Sequence, residues 1–101
     1  MSIEFRTDID WISSHVRSAI PGVSCVVTGS EGVSVEAEGS WPSLAGVRIA
    51  GAGFDSGETV YVAYESRGAS CGFYALVRAS RPGEMLLQDP SEIMVHHRMA
   101  A

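Results

Sequence analysis

Two thiols, three histidines and one glycine-rich run are where chemistry would first be sought in this chain. Cys25 and Cys71 each sit inside an apolar, strand-like run, with no CxxC spacing and no Cys/His ligand pattern around them. Cysteines so placed act as buried, reduced packing residues unless a neighbouring base lowers the thiol pKa. His15 would be that base, and Ser13 and Ser14 precede it. Neighbours in sequence do not make a triad, however, because a triad is a spatial arrangement with an oriented base. His96 and His97 are adjacent, and on a helix they would point about 100° apart, which prevents shared ligation of one metal in the usual i, i+4 manner. The run GAGFDSG places glycines at 51, 53 and 57, one residue off the G-x-G-x-x-G spacing, and a strand pattern follows it. With no lysine in the chain to complete a phosphate loop, it is not a nucleotide site. No metal and no cofactor is expected.

The charged residues suggest binding more than catalysis. Glu36 and Glu38 project from one face of a strand about 7 Å apart, and with Glu31 they form a candidate acidic patch for a basic protein partner. Twelve acids against seven arginines give a net charge of −5, a poor footprint for general nucleic-acid binding. The imbalance is uneven: residues 1 to 66 hold nine acids and three arginines, and residues 67 to 101 hold three acids and four arginines. Arg67, Arg78 and Arg81 fall in a stretch without acids, so a polyanion would be met there.

The elements that must position these groups belong to one domain, residues 1–101, with 46% hydrophobic and 19% charged residues. No apolar run approaches the roughly 20 residues of a membrane span, and MSIEFRTDID carries acids where a secretory leader would be basic. The chain therefore reads as cytoplasmic, without a membrane partner, and a disulfide is not expected. Ile9, Ile12, Val16, Ala19 and Ile20 predict an N-terminal helix over 8–20, with Thr7 or Asp8 as N-cap and Pro21-Gly22 as its stop. Residues 23–38 read as a hairpin. Residues 58–65 are apolar on both faces, which predicts a central strand paired with 70–80, where Cys71, Phe73, Ala75, Val77 and Ala79 share a face. Residues 84–88 add a short edge strand, and Asp89-Pro90 starts a C-terminal helix over 90–100. The resulting class is α+β, mainly antiparallel sheet with a helix at each end.

Residues 44–62, LAGVRIAGAGFDSGETVYV, fit the pattern L-x-G-x-x-I/L-x-x-A-G-F-x-S/T-G-x-x-V-x-V at Leu44, Gly46, Ile49, Ala52, Gly53, Phe54, Ser56, Gly57, Val60 and Val62. This segment resembles the core of the SymE-type toxin family, small bacterial proteins related to the AbrB swapped-hairpin fold. The resemblance implies a strand ending at Gly46, one helical turn burying Ile49, Gly53 as its cap, and Phe54 plugging the core ahead of the Val60/Val62 strand. The family-like unit would span 42–80 and dimerise to complete its hydrophobic face. The implied activity is that of a small toxin acting on RNA or binding nucleic acid, with Arg48, Arg67, Arg78 and Arg81 on phosphates. The motif consists of scaffold residues and assigns no catalytic one. The net charge favours a different class, a non-catalytic acidic inhibitor of the immunity or anti-defence type, contacting a basic protein through Glu31, Glu36 and Glu38.

Overall fold

Alternating apolar residues build sheet almost throughout this molecule. The computed structural model describes residues 2–8, 10–12, 21–43, 46–51, 53–66, 68–88 and 90–97. They form eight strands: β1 (Ser2–Arg6), β2 (Pro21–Thr28), β3 (Ser34–Ser43), β4 (Gly46–Ala50), β5 (Thr59–Ser66), β6 (Ala69–Arg81), β7 (Glu84–Leu87) and β8 (Ile93–His97). All pairings are antiparallel.

Two three-stranded meanders, β2–β3–β4 and β5–β6–β7, join first strand to first and last strand to last. The β2–β5 and β4–β7 pairings thereby close a six-stranded barrel. β8 and β1 extend from β6 as a two-stranded wing. The branch point is β6, whose 13 residues span roughly 40 Å at strand rise. One edge pairs with β5 from Ala69 to Leu76. The other edge is divided, Ala69–Gly72 taking β8 and Val77–Arg81 taking β7. A bulge between Val77 and Ala79 bends the strand where it changes partner. The 55–58 turn braces it: Gly57 N donates to Val77 O at 2.8 Å, and Ser56 Oγ donates to Arg78 O at 3.2 Å. The barrel interior is filled by inward side chains, among them Val27, Ile49, Val60, Phe73, Met85 and Leu87, all 0–1% exposed.

The expected α+β class is therefore overturned. The helix over 90–100 is replaced by β8, in which Ile93 and Val95 are buried and alternate with half-buried Met94 and His96. A local capping signal is worth about 1 kcal/mol, whereas burying Ile93 and Val95 against the open edge of β6 contributes about 1.5–3 kcal/mol each. Asp89 and residues 98–100 lie outside the described residues. At the other end, β1 occupies a segment with no expected element. Of the helix over 8–20, the described part is one turn at 10–12. Asp8 is its cap: Oδ1 accepts from Asp10 N at 3.0 Å and Trp11 N at 3.4 Å, and Asp8 O accepts from Ile12 N at 2.9 Å. Residues 13–20 lie outside the described residues.

The middle unit also differs from the expectation. Gly46 begins strand β4, and no helical turn separates it from Ile49, which is buried inside the barrel as a strand residue. Gly53 has no left-handed backbone and caps nothing; a Cβ there would stand 2.9 Å from the Arg81 carbonyl oxygen, so a close approach excludes larger residues. Phe54 is half-buried and rests on Gly29, where a Cβ would collide with its ring. Gly57 does turn the chain, with φ +91° in a turn closed by Glu58 N donating to Asp55 O at 3.0 Å, and it leads into buried Val60 and Val62. The strand expected at an edge, β7, pairs on both sides. One chain supplies all six barrel strands.

Candidate binding face

Because side chains alternate across a strand, the residues between the core positions all share the outer surface. On β5 and β6 these are Tyr61 and Ala63, and Gly72, Tyr74 and Leu76. Register carries the same surface across β2 to Val26, opposite Ala63, and across the wing to Met94, opposite Gly72, and Phe5, opposite Met94. Tyr74 is 65% exposed, Phe5 58% and Ile3 55%. The result is a contiguous apolar face over five neighbouring strands, roughly 19 Å from β1 to β2 at strand spacing.

Two contacts shape it. Tyr61 and Tyr74 lie directly opposite one another, with ring centroids 4.7 Å apart and planes tilted by 59°. The hydroxyl end of Tyr61 lies where a Cβ on residue 72 would be, so glycine at 72 lets the ring lie down on the sheet. Desolvation by burial raises the Tyr61 pKa, and Tyr74 and Cys71 add to the shift. Carboxylates border the face: Glu36 is opposite Val26, Glu65 is opposite Ser70, and Glu92 stands with Tyr74 and Met94 around a cavity of about 220 Å³.

An open cleft of about 720 Å³ crosses β3, β2, β5 and β6 beside this face. Its walls are outward side chains, including Ser24, Glu36, Glu65 and Ser70. Beneath them Cys25, Tyr64 and Cys71 turn inward in one row, each opposite the next. Burial pushes the Cys71 thiol up, the opposite direction from an activated nucleophile. Burial likewise raises Tyr64, with Cys71 and Tyr61 adding to it. Both cysteines are reduced and buried, and with β5 between them their Cα atoms are about 10 Å apart, too far for a disulfide. His15, Ser13 and Ser14 lie outside the described residues, and no cluster of three metal-ligating side chains occurs among the described ones. His96 and His97 are on a strand and point to opposite faces; His97 Nε2 lies 3.5 Å from Glu4 Oε1.

The arginine set is only partly assembled. Arg48 on β4 and Arg81 on β6 both flank Glu84 of β7: Arg48 Nη2 is 2.8 Å from Glu84 Oε1, and Arg81 is opposite Glu84 in the β6–β7 ladder. Arg78 is exposed at the bulge, and Arg67 lies outside the described residues. The stretch that is acid-free in sequence thus receives an acid in space. Glu31, Glu36 and Glu38 are all exposed; Glu36 and Glu38 share the outer side of β3, and Glu31 is in the turn ahead of it. The apolar face is not among the sequence expectations, although its signal is present. Residues 58–65 are apolar on both sides, and a chain of this length buries only one side of most strands.

Comparison with protein-family models, with curated proteins and with solved structures finds no match for this chain. Among the described residues no helix is long and apolar enough to cross a membrane.

Proposed function

We propose that this protein is a protein-binding module without catalytic function, working through the outer face of β2, β5 and β6. The observation that carries the reading is the exposed Tyr74, Leu76 and Val26 surface bordered by Glu36, Glu65 and Glu92. Apolar patches rimmed by polar groups mark interaction sites, and aromatic anchors dominate binding energy. The acidic border and the net charge of −5 suit a partner whose own apolar patch is ringed by basic residues, with attraction speeding encounter more than adding affinity. This is the acidic-inhibitor class with its contact surface relocated: of Glu31, Glu36 and Glu38 only Glu36 joins the rim, beside Glu65 and Glu92, and aromatic residues supply the anchor. The nucleic-acid reading has weaker support, since Glu84 divides Arg48 from Arg81.

A photo-crosslinking side chain at position 74, compared with one at Asp55, tests the proposal in living cells. One discrete protein adduct at 74, absent at 55 and formed more slowly when Glu36 and Glu65 are changed to Gln, is the expected result. Retardation of RNA or DNA at low salt, weakened by Arg78→Gln or Arg81→Gln, would overturn it.

A further inference from the structure

The wing ends in β1, and among the described residues no strand pairs with its second edge. An exposed edge offers unpaired backbone N–H and C=O groups to another chain. Proteins blunt such edges with bulges, prolines or charged side chains. β1 has no bulge and no proline: it is regularly paired over five residues, and Ile3 and Phe5 on its outer side are more than half exposed. Its two charges are of opposite sign, so they repel a second copy only in some registers. Its inner side bears one acid and one base, Glu4 and Arg6, 46% and 32% exposed at their side chains.

We infer that β1 is a homodimerisation strand, pairing antiparallel with β1 of a second copy about a two-fold axis at Phe5. The charges select this register. A one-residue slip would turn the partner's apolar side to the wrong face, so only registers centred on a residue keep the faces matched. Centring on Ile3 sets Glu4 against Ser2 and leaves Arg6 opposite no residue, so no charges are matched. Centring on Glu4 sets Glu4 against Glu4. Centring on Arg6 sets Arg6 against Arg6 and Glu4 against Asp8. Like charges directly opposite are destabilising. Centring on Phe5 sets Glu4 against Arg6 twice and stacks the two Phe5 rings on the outer face. Within the chain Arg6 lies over the Trp11 ring at 4.3 Å and Glu4 is 3.6 Å from Arg6, so each incoming opposite charge would extend a pair already present on the inner side. The β6–β8–β1 sheet then runs continuously into its copy. The second copy binds by an edge and leaves Tyr74 and Leu76 free, so this inference stands or falls independently of the proposed function.

Sedimentation over a wide concentration range, on the full chain and its charge variants, tests it. Wild type should show a monomer–dimer equilibrium. Glu4→Arg and Arg6→Glu should each weaken self-association about ten-fold or more. Mixing the two single variants should restore a dimer, because the introduced arginine of one copy then faces the introduced glutamate of the other while the second pair keeps its native residues. The double variant should restore it alone. A monomeric wild type, or single variants that dimerise like wild type, would overturn the inference. Should a variant fail to fold, deuterium exchange on wild type decides: free-edge amides of β1 that lose protection on dilution support the pairing, and concentration-independent exchange refutes it.

Discussion

Phe73 and Phe54 separate what a large aromatic contributes inside and at the rim of this barrel. Phe73 is 1% exposed and meets the Tyr64 ring edge-on at 6.1 Å, whereas Phe54 is half-buried over Gly29. Urea unfolding should show Phe73→Ala costing about 3–5 kcal/mol and Phe54→Ala only about 1–2 kcal/mol; equal losses would mean the Phe54 ring is a core plug after all. Cys71, Tyr61 and Tyr64 all have pKa values raised above the ordinary 9.0 of a thiol and 10.0 of a phenol. The unfolded chain therefore gives up these protons first. Their contribution to stability is whole below pH 9 and is lost as pH rises through the folded values. Urea midpoints should fall above pH 9, and Tyr64→Phe should make that fall shallower. An unchanged slope in Tyr64→Phe would count against the burial of its hydroxyl.

Among the elements, β8 and β1 make contrasting predictions. β8 lies between β1 and β6, so hydrogen exchange should find its amides protected throughout, and Ile93→Ala should cost about 2–5 kcal/mol. An Ile93→Ala loss under 1 kcal/mol would place that side chain outside the core. The two hairpins were legible because Val33, Val35 and Ala37, and later Cys71 to Val77, alternate between turn residues. β8 was not, because Asp89-Pro90-Ser91-Glu92 is a strong local helix start and the open edge of β6 that outweighs it leaves no mark in the nearby sequence. Nor does β4 betray its pairing with β7, since VRIAGAG supports a strand or a helical turn equally well until a partner edge is known. The apolar face was visible in ETVYVAYE as residues on both sides of one strand, but alternation cannot say which side remains wet.

At the scale of the molecule, the exposed face and the closed barrel have separate costs. Leu76→Ser with Val26→Ser should cost under about 1 kcal/mol for each change, since both side chains are partly exposed, while abolishing the partner adduct formed at position 74. A large drop in melting temperature would show instead that these residues hold the sheet together. The way the two meanders join also sets the order in which the chain acquires its structure. Within each meander the partners are near in sequence, but Cys25 meets Tyr64 and Val47 meets Leu87, each pair about forty positions apart, so both closures carry nearly the same loop entropy. Neither seam has a head start, so the two meanders should form as local units before they dock. Ser2 pairs with His97, a separation more than twice that of either seam, so the wing should assemble last. Refolding should therefore take milliseconds to seconds, with protection in β1 trailing that in β5 and β6, and β1 should present an ordered edge to a second copy only after β8 has docked on β6.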